Sequence, residues 1–138
     1  MDNKALEDLL RQHNLRITDM RKDILRIFLN HKEAISNHDI ETSIPNGDRI
    51  TIYRTIKSFQ KKGLIHQALD NTGVAKYALC AEHCNEDHHH DEHVHFHCDT
   101  CGNTFCVEEI VVPKVSMPTG FKVSATNMVV NGTCDQCS

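Results

Sequence analysis

Two Cys-x-x-Cys pairs, Cys98–Cys101 and Cys134–Cys137, stand beside a segment that runs His88-His89-His90-Asp91-Glu92-His93-Val94-His95-Phe96-His97. Thiolates at this spacing can share one tetrahedral ion, each loop bringing both sulfurs to about 2.3 Å, and Gly102 permits the tight turn after the first pair. Four thiolates leave no open coordination position, so the expected site is structural zinc. Such a site contributes on the order of 10 kcal/mol to the folding of a thin lobe. Free thiols or a redox pair are the competing readings of these cysteines. The imidazoles offer a different chemistry. On a strand, His93, His95 and His97 share one face and Val94, Phe96 and Cys98 the other. Three ring nitrogens need one more ligand to hold a borderline metal. His66 and Cys80 lie upstream as candidate donors, and a solvated His-rich surface is the alternative.

The elements that position these groups follow from composition and patterning. At 138 residues the chain is long enough for one domain or for two small lobes with thin cores, which usually need a staple such as a metal. Seven cysteines, an odd number, read as ligands and thiols rather than as a disulfide framework. No apolar run reaches the roughly 18 residues of a membrane span and no signal-peptide core is present, so a cytoplasmic protein without a membrane partner is expected. The net charge of −4 hides an asymmetry. Residues 1–79 carry 13 Lys/Arg against 10 Asp/Glu, whereas residues 80–138 carry 2 against 9. From Arg49 to Lys62 there are five basic residues and no acid. A basic stripe on an acidic chain suits a polyanion, although a solvated helix face has the same composition.

Leu6, Leu9, Leu10 and His13 mark one face of a first helix. Met20, Ile24, Ile27 and Phe28 mark a second, capped by Thr18, and Ser36 with Asp39 opens a short third. A fourth helix is expected from Arg49 to Lys62, ended by Gly63 and burying Ile52, Ile56 and Phe59. Arg54, Lys57 and Lys61 then share its exposed side, with Tyr53 at the edge. Leu64–Ala68 and Ala75–Leu79 read as a hairpin around Asp70-Asn71-Thr72-Gly73. Helices, a basic helix and a hairpin describe a winged helix-turn-helix with the fourth helix entering the major groove of double-stranded DNA. Residues 81–92 are polar and read as a link. Beyond them, 93–98, 104–107 and 121–130 read as strands, and Pro113 and Pro118 argue against a long helix between. The fold class is therefore α+β. A winged-helix DNA-binding domain over 1–80 precedes a strand-rich, zinc-stapled domain over 81–138.

The chain resembles the ferric uptake regulator family of metal-dependent repressors. The matching residues are Leu15-Arg16-Ile17-Thr18 with Arg21, Ile50-Thr51-Ile52-Tyr53-Arg54-Thr55-Ile56, Phe59, Gly63-Leu64-Ile65, His95-Phe96-His97-Cys98, Cys101-Gly102 and the terminal Cys134-x-x-Cys137. The resemblance implies a homodimer that binds a palindromic operator when loaded with its regulatory metal, the second domain serving as the dimerisation domain. It places Arg16, Thr51, Tyr53, Arg54, Lys57 and Lys61 at the DNA. It also implies no enzymatic activity and no small-molecule substrate.

Iron-sensing members place a histidine and a glutamate where Ala34 and Ala78 stand here. Zinc-sensing members place a cysteine at the position of Cys80 and an Asp or His at that of His66. The implied regulatory set is His66, Cys80, His93 and His95, and a thiolate among imidazoles favours Zn²⁺ over harder ions. A further site in the family's dimerisation lobe loses two ligand positions to Val94 and Thr126. The lobe's usual helix gives way to Val111-Val112-Pro113 and Met117-Pro118, which leaves dimerisation to strands. Cys84 and Cys106 have no ligand role in this scheme, and Cys106 reads as a small buried hydrophobe. The resulting expectation is a zinc-responsive repressor. An iron- or peroxide-responsive repressor, a zinc buffer and a metalloenzyme are the alternatives.

Overall fold

The computed structural model describes residues 2–68, 70–79, 93–124 and 126–138, and of His93, Glu108 and Glu109 the backbone alone. The link expected over 81–92, together with Cys80 and Cys84, lies outside the described residues.

Four capped helices come first: α1 (Asn3–Gln12), α2 (Asp19–Leu29), α3 (Asn37–Ser43) and α4 (Arg49–Lys61). Their leading N–H groups are met by short polar side chains, as helix starts require. Asp2 accepts from Ala5 N at 2.8 Å, Thr18 from Arg21 N at 3.1 Å, and Ser36 and Asp39 close a reciprocal capping box. Asp48 caps α4 and also accepts from the Thr51 hydroxyl at 2.9 Å. At the other end Gly63 takes φ of +78°, the left-handed stop expected there.

The helices close on one apolar core containing Leu6, Leu10, Ile24, Leu25, Phe28, Ile52, Ile56 and Phe59. Leu25 was not on the expected stripe of α2, yet it is fully buried, while Met20 and Ile27 are only partly covered. The reason is position: α2 is packed by α1, α3, α4 and a strand of the wing, so its buried face is wider than a single stripe.

Two three-stranded sheets follow. The first joins β1 (Ile35–Ser36), β2 (Ile65–Ala68) and β3 (Lys76–Leu79), all antiparallel in the order β1-β3-β2, with His66 opposite Ala78. The two-residue β1 carried no sequence signal of its own. The second joins β4 (His93–Cys98), β5 (Thr104–Val111) and β6 (Met128–Gly132) in the order β5-β4-β6, with β6 parallel to β4. The strand expected over 121–130 is confined to β6. Gly120 turns the chain at φ of +94° and Phe121 N donates to Pro118 O, and residues 121–124, 126 and 127 lie outside the sheet. Among the described residues no helix follows α4.

The second sheet has almost no apolar interior. Among the described residues from 93 onward, the buried ones are Val94, His95, Cys98, Thr104, Val112 and Cys134. Meanwhile Ile110, Val111, Phe121, Val123, Met128 and Val130 are exposed, Val111 to 86% and Phe121 to 68%. The sheet also touches the helical half directly, where Ala34 N donates to Thr104 O at 2.7 Å and Glu33 bridges Phe105.

Candidate metal centres and nucleic-acid face

The four paired cysteines converge. β4 ends on Cys98 and the turn after it carries Cys101, while the turn after β6 carries Cys134 and Cys137. Parallel pairing of the two strands, with Cys98 opposite Gly132, sets the turns side by side. All four sulfurs lie within 4.8 Å of one another. Tetrahedral zinc sets sulfur–sulfur separations of about 3.8 Å, and Cys101 Sγ stands 3.9 Å from Cys134 Sγ. Backbone N–H groups of Cys101 and Cys134 point at Cys98 Sγ from 3.4 and 3.3 Å. These two donors pull the Cys98 thiol down to about 6, whereas the hydrogen bond with Cys134, with burial behind it, pushes Cys137 up to about 12. One cluster cannot hold four thiolates without a central cation, and its spacing and donor set fit zinc.

A second group forms at the junction between the two sheets. His66 on β2, His95 on β4 and Cys106 on β5 bring their donor atoms within 4.8 Å of one another. His66 and His95 are fully buried, with ring centroids 6.0 Å apart. Cys106 Sγ is 2.7 Å from His66 Nε2. Of the four residues expected in the regulatory set, the structure thus brings His66 and His95 together. Cys80 lies outside the described residues, as does the side chain of His93. Cys106, expected to be an inert apolar filler, instead faces an imidazole. A single cysteine in a strand has no spacing signal, and only the register that sets it opposite His95 exposes the relation.

His97, on the same face as His95, goes elsewhere. The Asp70 side chain, 2% exposed, accepts from Lys76 Nζ at 2.8 Å, from the Thr104 hydroxyl at 2.6 Å and from Thr72. Thr104 spends its one proton on Asp70, so the 3.0 Å contact with His97 Nδ1 makes that nitrogen the donor. Lys76 also donates to Gly102 O at 3.2 Å. Burial pushes the Asp70 carboxyl upward, but the bonds from Lys76, Thr104 and Thr72 overcome it and hold the group well below the usual carboxylate range. The hairpin turn is therefore clasped to the second sheet beside the cysteine knuckle.

On the helical half, the start of α2 and the exposed side of α4 enclose a cleft of about 640 Å³. Arg16, Arg21, Thr51, Arg54, Lys61 and Lys62 line it. Lys57 does not. Its Nζ lies over the Tyr53 ring at 5.4 Å and the Tyr77 ring at 6.0 Å, so it fixes Tyr53 and the wing rather than the cleft. Tyr53 itself is half exposed. The Thr51 hydroxyl is already engaged with Asp48. A concave surface with five cations suits a phosphate backbone.

Comparison with known proteins agrees with this architecture. The model of the ferric uptake regulator family matches residues 12–131. The "Ferric uptake regulation protein" of Staphylococcus aureus is 30% identical over 142 residues, covering 98% of this chain and 96% of the relative. The "Peroxide operon regulator" of Bacillus subtilis strain 168 is 27% identical, covering 98% and 92%. Among solved structures, a "Zinc Uptake Regulator Complexed With Zinc AND DNA" superposes with a TM-score of 0.62 at 22% identity, covering 96% of this chain and 90% of the other. At that identity the superposition speaks for the fold alone.

Proposed function

From the premise that this chain belongs to the ferric uptake regulator family, and is therefore a metal-responsive regulator rather than an enzyme, we propose a zinc-responsive, DNA-binding transcriptional repressor. It acts in the cytoplasm as a homodimer on a palindromic operator. One observation carries the reading: buried imidazoles from the wing and from the second sheet, His66 and His95, meet at the junction between the DNA-binding half and the half that holds the cysteine centre. His66, Cys80, His93 and His95 would hold the regulatory ion. Cys98, Cys101, Cys134 and Cys137 would hold the structural one. When bound, the regulatory ion supplies a common point to which ligands from both halves are tied.

The residues of the chain do the rest. With His66 and His95 fixed, the wing cannot swing against the second sheet, and each α4 is held at one separation from its copy in the dimer. Arg54 and Lys61 then meet the operator backbone or a guanine edge, and Tyr53, steadied by Lys57, meets a thymine methyl or a phosphate. Dimerisation is assigned to the second sheet, whose exposed Ile110, Val111, Met128 and Val130 require a cover. The bias needed is modest, since moving an equilibrium from 1:99 to 99:1 takes about 5.5 kcal/mol of differential binding.

The test uses duplexes enriched from a random pool in the presence of zinc, followed by mobility shift with and without a chelator. Zinc should strengthen binding strongly, and equal affinity in chelator would overturn the proposal. Arg54→Ala should weaken binding by about 1–3 kcal/mol, the scale of one bidentate base contact, with metal content unchanged. Replacing Cys80 with Ser or His93 with Ala should leave a folded dimer whose DNA binding no longer answers to zinc. Relatives named for iron and peroxide, at 30% and 27% identity, make an Fe²⁺-responsive repressor the second reading. Loading the second site with Fe²⁺, Mn²⁺ or Zn²⁺ and comparing DNA affinity separates the two.

A further inference from the structure

Cys106 sits directly opposite His95 in the β4–β5 ladder, so both side chains project from the same face of the second sheet. That face meets the wing, and His66 reaches across from β2 to place Nε2 2.7 Å from Cys106 Sγ. Three elements thus deliver three donors to one point. In a tetrahedral zinc site an imidazole nitrogen and a thiolate sulfur are separated by about 3.5 Å, from bond lengths near 2.0 and 2.3 Å. The observed pair needs to part by less than about an ångström, which a small change in χ1 of Cys106 provides.

The surroundings favour sulfur as a ligand here. Ala34, Ala68 and Ala78 are buried and form a small apolar cluster against which Cys106 packs. Their methyl groups offer no competing donor, and they keep water away from one side of the sulfur. Among the described residues, the set that can hold an ion at this junction contains two imidazoles and one sulfur, with no carboxylate. Hard ions such as Mn²⁺ select oxygen ligands, whereas thiolate and imidazole select zinc and its softer neighbours.

We infer that Cys106 is a ligand of the regulatory ion and the residue that sets its metal preference. The inference rests on the proposal that an ion at this junction controls DNA binding, and it adds a second sulfur to Cys80. On coordination the Cys106 thiol loses its proton to solvent and binds as thiolate. Cys106 would join the set of Cys80, His66, His93 and His95 proposed above, so that the sulfurs and imidazoles named for the ion are two and three.

The unmutated full-length protein provides the first test. With cadmium-113 in both centres, the second resonance should fall at the chemical shift of a two-sulfur site, separate from that of the four-sulfur centre. A one-sulfur position would overturn the inference. In the second test, protein that keeps zinc in the cysteine centre is titrated with Co²⁺. Cys106→Ser should lose about half of the sulfur-to-cobalt charge-transfer band. Its zinc affinity should fall by more than the roughly 10–100-fold seen when outer partners of a ligand are removed. An unchanged band and affinity in a variant with native circular dichroism would also overturn it. Cys106→Asp, which returns a hard oxygen to the same place, should narrow the preference for Zn²⁺ over Mn²⁺ by at least about tenfold; an unaltered preference counts against a selective role. These readouts stand apart from the repressor reading. If wild-type DNA binding ignores zinc while the two-sulfur signature is present, the function fails and the ligand assignment stands. If DNA binding needs zinc and Cys106→Ser changes nothing, the reverse holds.

Discussion

Replacing Cys134 with Ser is expected to release the zinc proposed for the cysteine centre and unfold the second sheet, while the helical half keeps its circular dichroism. The sheet has little else to hold it. Among the described residues from 93 onward, the buried set is Val94, His95, Cys98, Thr104, Val112 and Cys134, of which two are aliphatic. Burying a Val side chain is worth about 1.5–3 kcal/mol, far short of the entropy of ordering the three strands at roughly 1–2 kcal/mol per residue. Zinc binding coupled to folding supplies on the order of 10 kcal/mol, so losing a ligand removes the main stabilising term. The Cys134 sulfur also stands 3.9 Å from Cys101 Sγ of the other knuckle, so the change disturbs both. Zinc content by mass spectrometry should fall by one ion per chain, and protease should cut beyond residue 93 first. Retention of a protected second sheet without that zinc would show that packing, not the ion, holds it.

Asp70→Ala is expected to destabilise the protein by about 3 kcal/mol, at the lower end of the 3–5 kcal/mol typical of breaking a buried ion pair, because Lys76 is 15% exposed and can turn outward. The change strands Thr104 and Thr72 as well as the ammonium. Asp70→Asn keeps acceptors without the charge and should recover part of the loss. The Asp70 carboxyl is lowered in the folded state, so its contribution is fully present above the ordinary carboxylate range. It disappears only as pH falls through the depressed value. The gap between wild type and Asp70→Ala, measured by urea unfolding, should therefore be flat from pH 6 to 8 and begin to shrink below about pH 4. A gap that changed steeply near neutrality would assign the effect to another group.

The parts of this molecule that sequence reveals are those whose causes are local. Thr18, Ser36 with Asp39, and Gly63 cap helices through contacts within a few residues, and each stands where its type requires. The paired cysteines carry their geometry in their spacing, and the α4 face of Ile52, Ile56 and Phe59 follows from helical period. What stayed hidden depends on partners distant in sequence. Asp70 looks like a turn residue because Thr104, 34 positions on, is needed to make it a buried anchor. Cys106 looks like a filler until strand register sets it opposite His95 and the wing brings in His66. The same holds for β1, two residues made a strand only by β3, and for Lys57, drawn from the cleft by Tyr53 and Tyr77.

The junction where β2 meets β4 and β5 has one more consequence. If an ion held there tightens the grip of α4 on DNA, thermodynamics requires that DNA tighten the grip on the ion by the same factor. A protein seated on its operator would then surrender zinc less readily than the same protein free in solution. Genes under its control would respond to scarcity later than the unbound pool does. The setting of the switch would belong to each promoter as well as to the protein, with stronger operators switching on at lower zinc.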